Sequence, residues 1–190
     1  ATDKAESLMR QQPKEQALAF VENRNQWASP VKYKADLPGG SVFLTGNGFT
    51  YSYYSLQDIA RIHEMGHEHP ESNQNNEIVN CHAYRVHFVG ANADPRMETG
   101  DKKGYHHNYF IGNDPSKWAG NVSVFGKVVY HDIYEGVDAA VYSNGTSMKY
   151  DFIVAPGAKT SDIVLRFGGV TPQLLSNGNM RIRTSVDEVE

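Results

Sequence analysis

Several things are scarce in this 190-residue sequence, and each scarcity closes off a class of protein. Cysteine occurs once, at Cys81, so no internal disulfide can staple the chain. Lys and Arg total 18 against 22 Asp and Glu, a formal net charge of −4, which leaves no basic surplus for a nucleic-acid backbone. No apolar run approaches the roughly 18–20 residues of a membrane-spanning helix, so membrane insertion is not expected. Residues 1–16 are mostly polar and lack an apolar h-region, so the chain as it stands reads as carrying no signal peptide. No G-x-S-x-G elbow, phosphate-binding loop or G-x-G-x-x-G fingerprint occurs, which removes the sequence signals of serine hydrolases and nucleotide binders. Disorder is excluded by 39% hydrophobic and only 21% charged residues.

What is present is strand-like. Val31, Tyr33 and Ala35 alternate with Lys32, Lys34 and Asp36. Tyr84, Val86 and Phe88 oppose Arg85 and His87, and Met148, Tyr150, Phe152 and Val154 oppose Ser147, Lys149 and Asp151. An Asn-Gly pair between apolar runs is the strongest short-range hairpin signal, and it occurs at Asn47-Gly48, Asn144-Gly145 and Asn177-Gly178. Val122–His131 and Ile163–Phe167 add further candidate strands. Period-2 runs broken by turns about every ten residues predict a mainly β protein, an antiparallel β-sandwich or barrel-like sheets. Ala91–Gly104 and the polar stretch 70–77 read as loops. Asp114-Pro115 reads as a capped helical turn leading to Trp118.

One short helix near residues 55–65 interrupts this rhythm. Ser55 is its expected cap, with Asp58 three residues on. Leu56, Ile59, Ala60 and Ile62 form an apolar stripe, and Gly66 and His69-Pro70 should end the helix. It contains His63-Glu64-Met65-Gly66-His67, a formal H-E-x-x-H. On a continuous helix, histidines at i and i+4 share a face and can bind zinc while the glutamate acts as general base. That makes His63 and His67 the candidate metal ligands. The motif needs an unbroken helix and a third ligand, and Glu71, Glu77, His82 and His87 fit no zincin spacing. His82 and His87 should face opposite sides of their strand, and His106 and His107 read as backbone-bonded. Asp94, Asp101, Asn113, Asp114, Asp132 and Asp138 place oxygen donors in loops, so a structural calcium is the one cofactor-like ion to consider. None of these fits an EF-hand pattern, and no other cofactor is implied. Cys81, entering an apolar strand, reads as an inert buried thiol. Trp27, Tyr51, Tyr53, Tyr54, Tyr105, Tyr109 and Trp118 could stack on sugars where exposed. Tyr105 and Trp118 are the ligand-binding candidates.

Six blocks fall in an order that resembles an uncharacterised N-terminal β-rich domain of large exported bacterial proteins. They are Phe20–Trp27, Leu37-Pro38-Gly39-Gly40 with Val42–Thr45, Asn108–Trp118 (NYFIGNDPSKW), Val128–Tyr142, Met148–Ala158, and the IVLRFGG stretch beginning at Ile163. Proteins of that kind carry SBBP or PKD/Ig-like repeats downstream, and some end in a gliding-motility (type IX secretion) sorting domain. The resemblance runs from Ala19 to the C-terminus, and it brings no catalytic residues to transfer. Residues 1–18, helix-compatible until Pro13, read as a frayed N-terminal arm or short helix, and 19–190 as a single β-rich domain. That domain would continue beyond Glu190, leaving an edge strand unpaired here. The expected function is a non-catalytic structural or adhesive module of a secreted or cell-surface bacterial protein. Its partners would be other domains of its parent protein, or a surface glycan or protein. Carbohydrate binding through exposed Tyr and Trp is the alternative, and a zinc-dependent hydrolase at His63 and His67 the third.

Overall fold

The strands alternate as expected, and the alternation curls one large sheet around an aromatic interior. The structure, a computed structural model, describes residues 17–68 and 78–189, with the helix side chains described as far as residue 64. In chain order the elements are β1 (Phe20–Glu22), β2 (Val31–Leu37), β3 (Gly40–Thr45), β4 (Gly48–Tyr54), α1 (Leu56–Glu68), β5 (Cys81–Val89), β6 (Arg96–Tyr109) and β7 (Ala119–Tyr134). They continue with β8 (Val137–Asn144), β9 (Ser147–Val154), β10 (Val164–Gly168), β11 (Gln173–Leu174), β12 (Met180–Arg183) and β13 (Glu188–Val189). The large sheet is antiparallel and runs β10-β5-β4-β3-β2-β1-β7-β8-β9, with β6 added beside β7. It forms a half-barrel, and β11–β13 form a small second sheet. The expected sandwich or barrel thus takes the form of a single curled sheet. Residues 1–16, the greater part of the expected N-terminal arm, and the loop at 70–77 lie outside the described residues.

The three Asn-Gly turns join β3 to β4, β8 to β9, and β11 to β12. Two glycines let strands pass closely. A Cβ on Gly40 would stand 2.2 Å from the Ser52 carbonyl oxygen, and one on Gly48 would stand 2.1 Å from that of Val86.

The interior is filled by the inward parity of each strand. Val42 and Leu44 of β3, Phe49 of β4, Val86 and Phe88 of β5, Val128 and Tyr130 of β7 and Val141 of β8 are all buried. Phe88 meets Phe49 edge-on at 5.1 Å and Tyr130 at 6.1 Å. The two ends of the sheet path, β9 and β10, are not hydrogen-bonded to each other. Side chains bridge the curl instead: Tyr150 of β9 lies 5.4 Å from Phe49, and Phe152 lies 6.0 Å from Phe88. The Tyr134 hydroxyl donates to the Val164 carbonyl at 3.2 Å, tying β7 to β10.

Four local expectations change. Most of Ala91–Gly104 is not loop, because residues 96–104 belong to β6. That strand is polar yet pairs with β7 from Arg96↔His131 to Tyr109↔Ala119, since a hairpin arm is held by backbone hydrogen bonds and can leave both faces wet. The helix does not stop at Gly66 but runs to Glu68; glycine inside a helix costs only about 1 kcal/mol, which neighbouring turns can absorb. Its apolar stripe is not buried, with Leu56 57% and Ile59 43% exposed. The helix is held by polar contacts instead. Ser55 Oγ accepts from the Asp58 backbone N–H at 3.1 Å, and the Asp58 carboxylate accepts from the backbone and side chain of Asn80 at 3.0 and 2.8 Å. These Asn80 hydrogen bonds hold the Asp58 carboxyl below the usual carboxylate range. Cys81 is exposed rather than buried, because β5 begins outside the curl.

Phe88 sits at the centre of the aromatic interior, while Phe152 is half-buried on an end strand. Phe88→Ala is expected to lower stability by about 3–5 kcal/mol in urea unfolding, and Phe152→Ala by less. A loss below about 0.5 kcal/mol for Phe88→Ala, the range of a surface substitution, would contradict this packing.

Candidate binding surface

The outward parity of β2–β5 carries a different chemistry, organised by one loop. Residues 23–30 are knotted around the Asn23 side chain. Its Nδ2 donates to the carbonyls of Trp27 (3.1 Å), Ala28 (3.3 Å) and Val31 (2.8 Å), and its Oδ1 accepts from the backbone N–H groups of Asn25 and Trp27, both at 3.1 Å. Asn25 adopts φ 87°, a left-handed conformation that asparagine tolerates better than most residues. Gln26 donates to the Glu22 carbonyl, Arg24 to that of Gly120 and Asn25 to that of Ser116, which pins the loop to β1 and to the β6–β7 arm.

The loop presents Trp27. Its ring meets Tyr109 edge-on at 5.3 Å, and Lys34 Nζ lies 5.8 Å above it. Beneath them Val21, Ala119, Val122 and Val124 form a small second core. Along β6, Tyr109, His107 and Tyr105 follow at successive ring separations of 6.1 and 5.8 Å. On its other side Trp27 borders a groove of about 600 Å³. Pro30 and Val31 complete that wall, Phe43 and Thr45 rise from β3, Thr50 from β4, and Arg85 and His87 from β5. Lys34↔Phe43, Phe43↔Thr50 and Thr50↔Arg85 are successive cross-strand partners, so these four side chains stand in one row on the outer face. Phe43 is the odd member, a large aromatic at a solvent-facing position of β3.

The expected ligand-binding residues are placed apart. Tyr105 is 43% exposed at the end of the β6 stack, and Trp118, also 43% exposed, pairs edge-on with Phe110 at 5.9 Å near the turn of the β6–β7 arm. Trp118 Nε1 donates to the Gly112 carbonyl, and Asp114 caps the short 3-10 turn Pro115–Lys117 through the Ser116 N–H, as Asp114-Pro115 predicted. No ring contact joins Trp118 to the Tyr105 stack. Trp27 and Tyr109 were visible in the sequence as candidate stackers. Phe43 was missed, although an aromatic sharing parity with Ser41 and Thr45 is the signal that finds it.

The metal candidates stand as follows. Helix α1 is continuous through 63 and 67, so the helical half of H-E-x-x-H is present; His63 is exposed and the His67 side chain lies outside the described residues. His82 takes the inward parity of β5, bonded to Ser185 Oγ at 3.1 Å and the Gly169 carbonyl at 3.2 Å, whereas His87 lines the outer groove. The two therefore face opposite sides of their strand, as their odd spacing predicts. The loop carboxylates are dispersed. Asp101 pairs with Lys103, Asp114 caps its turn, and Asp138 accepts from the Asp132 N–H while contacting His131 Nδ1 at 3.1 Å. His131 Nε2 meets Glu98, itself paired with Arg96 at 2.8 Å. This chain of contacts clamps the irregular register of β7 between Tyr130 and Tyr134, where Asp132 has φ 49°. Among the described residues, no group of three His, Cys, Asp or Glu side chains is arranged to hold a metal ion.

Residues 20–190 match the family described as Domain of unknown function (DUF7948). The chain belongs to this family. No curated protein and no solved structure matches it. Among the described residues no helix is long and apolar enough to cross a membrane.

The inner face of this DUF7948 domain holds a second cavity of about 410 Å³, between the curled sheet and the small sheet. Tyr51, Tyr53, Tyr84 and Tyr150 line it with Phe167, Met148 and Ile182. Tyr51 stacks on Tyr84 at 4.8 Å, and Tyr53 on Tyr84 at 6.3 Å. Burial is the main cause that pushes all four phenols above their ordinary value of 10.0. Neutral phenols are thus favoured in the folded state. Their contribution to stability is fully present below pH 10 and is lost as pH rises beyond it, because the unfolded chain then releases protons that the folded chain retains. In an alkaline titration, the phenolate absorbance of these four tyrosines is expected to appear together with unfolding followed by circular dichroism. Full ionisation of all eleven tyrosines while the sheet signal stays native would contradict the burial described.

Proposed function

We propose that this domain is a non-catalytic, adhesive module of a secreted or cell-surface bacterial protein, and that it recognises carbohydrate through its outer face. The observation that carries this reading is the groove bordered by Trp27 and Phe43. Flat apolar rings beside hydrogen-bonding side chains (Thr45, Asn47, Thr50, Arg85 and His87) suit a sugar, whose C–H faces stack on aromatic rings while its hydroxyls need polar partners. The volume suits a short oligosaccharide rather than a protein core element. The ladder from Trp27 through Tyr109 and His107 to Tyr105 extends the aromatic surface in the direction a longer glycan would follow. Attachment fits a rigid scaffold, since the loop bearing Trp27 is fixed by Asn23 before any ligand arrives and little ordering cost remains. Secretion and surface display are drawn from the resemblance to exported bacterial proteins.

The test is a glycan array followed by affinity measurement on the best hits. Phe43→Ala is expected to weaken binding at least tenfold with unchanged thermal stability, since Phe43 lies on the outer face, outside the buried core. Trp27→Ala should weaken it further. An array without hits, or hits unaffected by both substitutions, would overturn the reading.

A further inference from the structure

The groove is electrically one-sided, although the chain as a whole carries −4. Among the described residues that line it none is acidic, and Arg85 and His87 are the ionisable ones. Among the described residues no carboxylate is seen to pair with Arg85. Arg166 of β10 stands directly across from His87, and cross-strand partners share a face, so a second guanidinium flanks the first on the same surface. The nearest cation on the other side, Lys34, is bound to Asp36 at 2.6 Å, and Asp36 lies one outward position further along β2, next to Ser41 rather than in the groove. A guanidinium is built for bidentate binding of a planar carboxylate, and an apolar wall beside it strengthens that bond by excluding water.

Resting on the carbohydrate reading above, we propose that the outer groove selects acidic sugars: a uronate-bearing oligosaccharide whose ring stacks on Phe43 and Trp27 and whose carboxylate is held by Arg85, with Arg166 supplying further positive potential and His87 a hydrogen-bonding ring nitrogen. The dimensions agree. Phe43 and Arg85 are separated by one intervening strand position, Thr50, which at the usual inter-strand spacing is about 10 Å. One sugar ring can lie on Phe43 while the carboxylate of its neighbour reaches the guanidinium. An acidic peptide would satisfy the charge but not the flat rings of Trp27 and Phe43 bordering the groove.

The experiment compares oligogalacturonate, the same oligomer reduced at its carboxyl groups, and a poly-glutamate peptide, by calorimetry on the intact domain at low and moderate salt. Oligogalacturonate is expected to bind roughly tenfold or more tightly than the reduced oligomer, a ratio within reach of one charge-assisted pair. Arg85→Gln should remove most of that difference, Arg85→Lys should restore only part of it, and Phe43→Ala should weaken both sugars alike. Equal binding of the two sugars, unaffected by Arg85→Gln, would overturn the charge selection while leaving the carbohydrate reading standing. Poly-glutamate binding as tightly as the sugar, and unaffected by Phe43→Ala, would replace the sugar with an acidic protein partner. Binding of none of the three, with an empty array, would overturn both readings together.

Discussion

The structure depends on a set of ring contacts across a gap that backbone hydrogen bonds do not close. The large sheet ends at β9 and β10, which do not pair. What keeps the curl from opening is Tyr150 against Phe49 and Phe152 against Phe88, backed by the Tyr134 hydroxyl on the Val164 carbonyl. Edge-to-face ring pairs add about 0.5–1.5 kcal/mol each beyond the area they bury, enough to matter in a fold whose net stability is only a few times larger. Because the interior is filled by one parity of every strand, the other parity is turned outward and free to carry chemistry. The outer row Lys34, Phe43, Thr50 and Arg85 is a consequence of the same curl that buries Val42, Leu44, Phe49 and Val86.

The two faces differ in kind. The inner cavity is phenolic, with Asp187 its one ionisable carboxylate, and its tyrosines are held neutral by burial. The outer groove has the rings of Trp27 and Phe43 above the buried Phe49, hydroxyl and amide groups, and, among the described residues, only basic ionisable side chains. Between them the Asn23 knot converts a loop of polar residues into a fixed mount for Trp27, leaving that side chain packed on Tyr109 on one side and bordering the groove on the other. Loop rigidity of this kind separates a binding surface from an incidental dent, because the ordering cost is met during folding.

Much of the fold was legible in the residues themselves. Strand parity in Tyr84–Phe88 and Met148–Val154, three Asn-Gly turns, the Ser55 cap and the Asp114-Pro115 turn each found their place. β6 was not legible, because strand recognition by alternation needs a buried face. In residues 96–104 Met97 is the one hydrophobic side chain packed against the core, so RMETGDKKG shows no alternation and reads as a loop. α1 passes Gly66 because glycine weakens a helix without forbidding it, and its last described residue, Glu68, directly precedes His69-Pro70. The burial of its stripe was misjudged because amphipathic spacing states what can be buried, not what is. In the binding surface, Trp27 and Tyr109 could be named but not brought together, since a net charge of −4 hides a locally basic face and members of one outer row such as Phe43 and Arg85 lie 42 positions apart. Tyr105 and Trp118, each exposed, belong to separate parts of the same arm.

The central claim, that ligand recognition resides on the outward face of β3–β5 and the Trp27 loop, is tested most directly by amide NMR during titration with oligogalacturonate. Saturable shifts are expected, confined to the backbone around Trp27, Phe43–Thr50 and Arg85–His87, with the amides beside Tyr51, Tyr84 and Tyr150 unmoved. Shifts centred on the tyrosine-lined cavity or on the Phe110–Trp118 pair, or none at millimolar ligand, would contradict it.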